Sequence, residues 1–430
     1  MIQVLEILLG AVSTATFAST AWLALVLAAA TARGRSPGTG RVRRVAVVVP
    51  AHDEELVIGE TLRGIASQRY PASLLSVVVV ADNCSDGTAR IASEAGALVM
   101  ERADASERGK GFALAWAIGK LLGQDSPIEG PVPDAFIILD ADTLAEPDLV
   151  ERLARSLPED PSALAAVQGR YGVLNPQGGW RAALMDAAFE LCNHVRLLGI
   201  DRLGGSVGLK GNGMIFTRAT LERVPWTGRS VTEDIDYGLD LLELHGVRVA
   251  YAPDAVVRAQ MPVTAGQGES QRARWEGGRY RLMRRRVPGL LASAVRRRDV
   301  RLFAAAMDLC ALPLAEIVGL LVIGLVGLGL GWNAMSVVVR TVLAALLGLS
   351  ATALCAYVLI GMRVAGAGPE AYRALLRVPM YVVWKLALYV RRRGNRSAKP
   401  AGADDEWVRT ERMAMGSQAE AMERHGGSAG

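Results

Sequence analysis

The sequence predicts an α/β domain built on a parallel sheet and joined to α-helical transmembrane segments. Three observations support this prediction. Short apolar runs each end in an acidic turn, helical patterns separate those runs, and several apolar blocks are long enough to cross a bilayer. Hydrophobic residues make up 51% of the 430 residues, so part of the chain is expected to lie in lipid.

The first apolar block, residues 7–30, contains no charged side chain and can cross roughly 30 Å of hydrocarbon as a helix. Basic residues follow this block and favour an exit on the cytosolic side, whereas a secretory signal would carry them in front. They are Arg33, Arg35, Arg41, Arg43 and Arg44. We therefore assign residues 1–40 to an N-terminal transmembrane helix and a basic linker.

Residues 41–300 alternate between strand and helix patterns. Continuous apolar runs at 45–55, 76–87 and 135–142 are typical of parallel strands that are covered on both faces. Helical patterns lie between the runs, so the order predicts a doubly wound α/β domain. In such sheets ligands bind beyond the carboxyl ends of the strands, where the acidic turns would gather. Later segments that add to the same domain are 211–224, 231–246 and 248–257.

Two further apolar blocks, 317–332 and 341–362, predict a transmembrane hairpin. Charged residues and a proline interrupt the next segment, 371–390, which we interpret as an interfacial helix. The sequence thus predicts three spans, or four if this segment also crosses. Residues 301–393 comprise the hairpin and the interfacial helix.

The C-terminal tail, the net charge and the cysteines do not indicate a further binding module. Residues 394–430 are rich in small and charged residues, which predicts a cytosolic tail that is largely disordered at its end. The formal net charge of +5 is too small to indicate a nucleic-acid partner. The four cysteines show no CxxC spacing, so neither a zinc site nor a disulfide framework is predicted.

Four acidic or basic residues indicate a nucleotide-binding site. Asp140 and Asp142 follow an apolar run, and two such carboxylates suit Mg²⁺ or Mn²⁺, which in turn holds a diphosphate. An isolated pair of this kind is often only a loop feature. Asp82 also follows a strand and can accept hydrogen bonds from a base or ribose, although a plain turn would look similar. Lys110 lies between glycines at a predicted helix start, a place suited to anions.

The tripeptide Thr232-Glu233-Asp234 opens a predicted helix. Thr232 can simply cap that helix, with the two acids favourable in its first turn. Alternatively, Asp234 serves as a general base that removes a proton from an acceptor hydroxyl.

Further along, Gln271, Arg274 and Trp275 share one face of a predicted helix, where the arginine can pair with phosphate and the ring can stack on a sugar. Eleven arginines between 271 and 301 also suit a helix on anionic lipid, and both interpretations can hold together.

Together, VVVPAHDEE, the Asp of VVADNCSDG, DAD, TED and QRARW resemble the motifs of membrane-integrated inverting glycosyltransferases of family 2, over about residues 41–300. The similarity is to the group that includes cellulose, chitin, hyaluronan and poly-N-acetylglucosamine synthases. It implies a GT-A fold, with Asp142 as metal ligand and Asp234 as catalytic base. The implied donor-binding residues are Pro50, Ala51, Asp53, Glu54, Asp82, Lys110, Asp140 and Asp142. Those implied for the acceptor and diphosphate are Glu233, Gln271, Arg274 and Trp275.

The resemblance implies transfer of a sugar from a nucleotide donor, with a UDP-linked donor expected, to a hydroxyl of a lipid-linked or growing glycan. The expected cofactor is Mg²⁺ or Mn²⁺. The protein would contact membrane lipids, with its catalytic domain at the cytosolic face of the cell membrane. A polyprenyl-phosphate sugar synthase and a non-catalytic membrane scaffold are the alternatives, and the oligomeric state stays open. Three spans and the loop GLKGNGM at 208–214 differ from polymer synthases, so processive synthesis is not implied.

Overall fold

The computed structural model describes residues 2–32, 40–227, 232–261, 265–382 and 384, and for residues 265–276 it describes the backbone alone. The chain forms two compact units. The sheet unit is drawn from Arg35–Gly178 and Ser206–Leu282. The helical unit is drawn from Met1–Gly34, Gly179–Gly205 and Met283–Ala403.

The sheet unit contains one eight-stranded sheet with the order β3-β2-β1-β4-β7-β6-β8-β5. The strands are β1 Val45–Ala51, β2 Leu75–Asp82, β3 Leu98–Arg102, β4 Ala135–Ile138, β5 Thr143–Ala145, β6 Ala166–Val173, β7 Met214–Thr217 and β8 Val249–Ala259. The predicted parallel arrangement holds for β1 to β4. The other half is mixed, because β7 runs antiparallel to both β4 and β6, and β5 runs antiparallel to β8.

This reversal decides what surrounds the acidic turn after β4. Met214 pairs with Ile138, so the first residue of β7 lies beside the last residue of β4. The loop that enters β7, residues 208–213, therefore comes to the same sheet edge as Asp140 and Asp142. The sequence pattern predicts a strand at β7 but not whether it runs parallel or antiparallel to β4, because the apolar pattern of a four-residue strand is the same in both directions.

Helices surround the sheet and make up the helical unit. They are α1 Ile2–Thr31, α2 Ile58–Ala66, α3 Thr88–Glu94, α4 Lys110–Leu122, α5 Leu149–Ser156, α6 Trp180–Phe189, α7 Arg196–Arg202, α8 Arg218–Arg223, α9 Glu233–His245, α10 Ala265–Arg297, α11 Val300–Cys310, α12 Leu314–Gly331, α13 Val337–Ala365 and α14 Pro369–Leu375. A π-helical stretch, Glu190–Val195, joins α6 to α7. The buried face of the sheet includes Val47, Val79 and Ile137, which form one apolar core with the neighbouring helices.

Three helices in the described part of the chain, α1, α12 and α13, are long and apolar enough to cross a membrane. They correspond to the three predicted spans. The interfacial segment 371–390 is described only in its first half, as α14 and the residues up to 382 and 384. Its possible crossing, the tail beyond it and the disorder predicted there lie outside the described residues.

Residues 180–202, which follow β6 in the sequence, pack inside the helical unit. Tyr357 of α13 donates a hydrogen bond to the backbone oxygen of Leu191 at 2.7 Å. The guanidinium of Arg196 pairs with Asp308 of α11, and the indole of Trp22 donates to the same carboxylate at 3.3 Å. No sequence pattern predicted this packing, because it depends on contacts between residues more than 100 positions apart.

The contact between α7 and α1 depends on Gly199. A Cβ atom at this position would lie 2.0 Å from the backbone oxygen of Val26, so a side chain would push the helices apart. We expect Gly199→Ala to destabilise the helical unit by about 1–3 kcal/mol through overpacking. Gly348→Ala in α13 is the matched control, because a Cβ there meets nothing within 4 Å. Thermal unfolding in detergent tests this, and equal melting temperatures for the two variants would contradict it.

Candidate active site

The turn after β4 carries the two predicted carboxylates and is held from several sides. Leu139 donates its N–H to Val48 of β1 at 3.1 Å, which continues the strand pairing to the edge of the turn. The hydroxyl of Thr61 donates to the backbone oxygen of Ala141 at 2.7 Å. The Asp140 side chain is 28% exposed, whereas Asp142 is buried. The turn is therefore rigid, and Asp140 faces the open edge of the sheet.

Lys110 bridges this turn to the loop before β7. It is the first residue of α4, preceded by Gly109 at a φ of +119°, a conformation that favours glycine. Its ammonium donates to the carboxylate of Asp140 and, at 2.6 Å, to the backbone oxygen of Gly211. The sequence predicted Lys110 as an anion-binding residue at a helix start, and in the structure its ammonium contacts the carboxylate of Asp140.

The first turn of α9 brings Glu233 and Asp234 to the same place. Thr232 makes no capping hydrogen bond with its side chain, although the acids lie in the first turn. A Cβ atom added to Gly211 would lie 3.3 Å from both the Asp234 carboxylate and the Lys110 ammonium. Gly211 also has a φ of +75°. Glycine is favoured at this position, because the positive φ and the close approach of α9 both disfavour a side chain.

The charged groups of this cluster alter one another's pKa values. Withdrawal from water raises the pKa of Glu233 to about 8, and the adjacent Asp234 carboxylate acts in the same direction. Burial also raises the pKa of Asp234, although the ammonium groups of Lys110 and Lys210 oppose the increase. Burial would lower the pKa of Lys110, but the carboxylates around it outweigh this and raise it. We expect the acid pair to retain a proton near neutral pH, while Lys110 stays charged.

Asp82, at the end of β2, is buried and forms an ion pair with Arg102 at the end of β3. The guanidinium donates to Asp82 at 2.7 Å and to the backbone oxygen of Glu107, also at 2.7 Å. Both side chains are buried, at 6% and 5% exposed.

Arg102 also borders a cavity of about 490 Å³ lined in part by Phe112 and Trp116. That volume lies within the range of small-molecule sites, roughly 300–1,000 Å³.

The remaining predicted donor residues lie at the end of β1. Pro50 and Ala51 close the strand, and Asp53 adopts a φ of +52° just beyond it. Burial would raise the pKa of Asp53, but hydrogen bonds from Ser85, including one from its backbone N–H at 2.6 Å, hold it below its ordinary range. Glu54 is buried, and its backbone N–H donates to Thr88 at 2.8 Å. The two acidic turns after β1 and β2 thus interlock.

A divalent cation fits the carboxylate turn by the chemistry of its donors. Three carboxylates, those of Asp140, Glu233 and Asp234, raise the pKa of the one ammonium of Lys110, so negative groups outnumber the positive one. Carboxylate oxygens are hard ligands, which suit Mg²⁺ or Mn²⁺. Among the described residues, the one group of three potential metal ligands whose atoms all lie within 4.8 Å of one another is a different one, Asp53, Cys84 and Asp86. Burial raises the pKa of the Cys84 thiol, which disfavours the thiolate that a metal would need.

The predicted acceptor motif lies on α10, which begins at Ala265. Gln271, Arg274 and Trp275 are helical, as expected, but their side chains lie outside the described residues. Their roles stay predictions. The structure therefore brings together Lys110, Asp140, Glu233 and Asp234.

Sequence reasoning missed two residues of the site. Arg102 ends a short strand with no motif around it, and no local signal marks it as the partner of Asp82. Asn212 is fully buried between two glycines with positive φ, Gly211 and Gly213. A Gly-Asn-Gly pattern permits a close backbone approach, but it does not indicate which groups the asparagine contacts.

Residues 43–278, more than half of the chain, match the family described as "Glycosyltransferase like family 2". The chain belongs to this family. The family and the GT-A fold predicted from the motifs are therefore confirmed. The narrower resemblance to polymer synthases stays a prediction.

Curated relatives and a solved structure agree with this assignment. The glycosyltransferase is 28% identical to an N-acetylglucosaminyltransferase of Mesorhizobium japonicum, over 55% of this chain and 56% of the relative. It is 27% identical to a β-monoglucosyldiacylglycerol synthase of Synechocystis sp., over 55% of this chain and 48% of the relative. The chain spans about half the length of the curated relatives it matches. The mannosyltransferase PcManGT of Pyrobaculum calidifontis, in complex with GDP-Man and Mn²⁺, aligns with a TM-score of 0.52 at 20% identity, over 84% of this chain and 98% of that one.

Removing Arg102 would leave the Asp82 carboxylate buried without its partner. We expect Arg102→Met to destabilise the sheet unit by about 3–5 kcal/mol, the usual cost of breaking a buried pair from one side. Arg90→Met is the matched control, because Arg90 pairs with Glu94 on an exposed helix face, where such pairs contribute about 0.3–0.5 kcal/mol. Chemical denaturation of the full chain in detergent measures both. Similar losses of unfolding free energy in the two variants would contradict the expectation that the buried pair contributes more stability than the exposed pair.

Proposed function

We propose that this glycosyltransferase moves a sugar, with inversion, from a nucleotide donor to a hydroxyl of a lipid-linked or growing glycan. The observation that carries the proposal is the convergence of Asp234 with Lys110 and Asp140 at the carboxyl edge of the sheet. A base, a cation and a metal-binding turn are the groups that such a transfer needs. The expected donor is UDP-linked.

Asp234 acts as the general base. It takes the proton of the acceptor hydroxyl while the acceptor oxygen attacks the anomeric carbon, and the nucleoside diphosphate leaves from the opposite face. One displacement inverts the anomeric centre without a covalent enzyme intermediate. Burial makes Asp234 a stronger base than an exposed aspartate, because its pKa lies closer to neutrality.

The donor is held by groups at the ends of β1, β2 and β4. Asp82 and the cavity beside Arg102 receive the nucleoside, and Lys110 pairs with the diphosphate. Asp142, with Asp140 beside it, would hold Mg²⁺ or Mn²⁺, which supplies positive charge to offset that of the leaving diphosphate. Gln271, Arg274 and Trp275 contact the acceptor and the diphosphate, as the motif suggests.

The likeness to other glycosyltransferases supports an acceptor at the membrane. One relative is a β-monoglucosyldiacylglycerol synthase and another an N-acetylglucosaminyltransferase, so lipid-linked and amino-sugar chemistry both occur among similar chains. Three helices able to span a bilayer and the arginines after α1 favour a cell-membrane protein with its sheet unit on the cytosolic side.

Asp234→Asn keeps the shape of the base but removes its ability to accept a proton. We expect turnover to fall by about 10²–10⁴-fold, with nucleotide binding largely unchanged. Asp240→Asn, on the same helix, is the control and should retain activity. A panel of nucleotide sugars, scored for release of nucleoside diphosphate with Mg²⁺ or Mn²⁺, provides the assay. Near-normal turnover by Asp234→Asn would remove this residue from the mechanism, and acid-labile sugar phosphate as product would favour the polyprenyl-phosphate alternative.

The acid side of the pH–rate profile should depend on Lys110. Activity requires an ionised base, so kcat/KM falls as pH decreases through the raised carboxyl pKa values of Glu233 and Asp234. Lys110 lowers both pKa values. Lys110→Gln should therefore move the acid limb to higher pH by about 1–3 units. Lys120→Gln, at the exposed end of α4, should leave the limb in place; an unmoved limb in both variants would contradict the proposed electrostatics.

A further inference from the structure

Asn212 makes polar contacts on both sides of the acidic turn. Its side-chain oxygen accepts a hydrogen bond from the backbone N–H of Asp140 at 3.1 Å. Its amide nitrogen donates to the hydroxyl of Thr143 at 2.7 Å. Asp142 lies between these two contact points in the sequence. One fully buried side chain thus fixes the start and the end of the turn that carries both carboxylates.

The backbone on either side of Asn212 is equally constrained. The backbone oxygen of Asn212 accepts from Gln168 at 2.8 Å, and the Gln168 side chain in turn accepts from the backbone N–H of Lys210 at 2.8 Å. Gly213 donates to Ile138, the last residue of β4, at 3.0 Å. Since these groups are buried, a lost partner would be costly, and the loop is held in one conformation.

The same loop contacts the catalytic groups on its other side. Gly211, next to Asn212, accepts a hydrogen bond from Lys110 through its backbone oxygen. A Cβ atom on Gly211 would lie 3.3 Å from the carboxylate of Asp234, so the loop and this side chain pack closely. A shift of Asn212 would therefore move the turn and the base-facing loop relative to each other.

We propose that Asn212 is a positioning residue that sets the spacing between the metal-binding turn, Asp140 to Asp142, and the base Asp234. This inference rests on the proposed function. Transfer requires the base and the leaving diphosphate to lie on opposite sides of one sugar carbon, and misplacement by about 1 Å can cost roughly 10²-fold in rate. An asparagine suits the role because it offers one acceptor to the Asp140 N–H and one donor to the Thr143 hydroxyl.

Two variants of the full-length protein in detergent test this role. Asn212→Leu has a similar shape and removes both side-chain hydrogen bonds. Thr143→Val removes only the contact at the end of the turn, so it keeps the proposal testable if the first variant does not fold. Asn175→Leu is the matched control: Asn175 is also buried and bonds the backbone of Met261 through both amide atoms, at 3.0 Å and 2.8 Å.

The measurements are Mn²⁺ affinity, alone and with UDP, from the free-ion signal in electron paramagnetic resonance, together with melting temperature, KM and kcat. We expect Asn212→Leu to weaken Mn²⁺ binding and lower kcat by about 10–100-fold, the range found when residues that orient metal ligands are changed. Thr143→Val should show a smaller loss in the same direction. Asn175→Leu should lower the melting temperature without changing Mn²⁺ affinity.

A different result overturns the inference. If Asn212→Leu and Thr143→Val lower the melting temperature but match Asn175→Leu in Mn²⁺ affinity and kcat, Asn212 only supports the fold. If the unmodified protein neither binds Mn²⁺ nor releases nucleoside diphosphate from any donor, the proposed function fails first and the inference falls with it.

Discussion

The ammonium group of Lys110 joins segments that lie far apart in the chain. It contacts Asp140 after β4 and the Gly211 backbone before β7, and its charge acts on Glu233 and Asp234 at the start of α9. Without a cation, carboxylates brought so close would repel one another or take up protons. The pKa of Glu233 is still raised, to about 8, because the charge of Lys110 does not fully offset burial and the neighbouring Asp234 carboxylate. Surplus negative charge carried by carboxylate oxygens at a partly buried edge suits a divalent cation.

The sheet provides the geometry for this charge cluster. Parallel strands β1, β2 and β4 end at one edge, and each continues into an acidic turn. The antiparallel strand β7 begins at that same edge and delivers the Gly-Asn-Gly loop against the turn after β4. Because the loop carries no side chain at Gly211, helix α9 can bring its first turn close. Close packing here depends on backbone positions more than on side-chain chemistry.

The helical unit adds a second constraint, which is separate from the chemistry. The chain leaves the sheet unit after β6, and residues 180–202 pack among α1, α11 and α13 before the chain returns to β7. The ion pair of the buried Arg196 with the partly exposed Asp308 and the close approach at Gly199 hold this segment in place. An insertion anchored in this way belongs to a unit with three helices able to cross a bilayer.

The sequence by itself determined the parallel strands β1 to β4, the three apolar helices and the acidic turns that follow the strands, because local periodicity and turn composition report on neighbouring residues. It also supported the family, since the order of the motifs is specific. Tertiary structure alone decided that β7 is antiparallel, that Arg102 pairs with Asp82, and that Asn212 holds the turn. Each of these depends on contacts between residues that are 20 to more than 70 positions apart. Such contacts arise from the packing of whole elements, which no short stretch of sequence encodes.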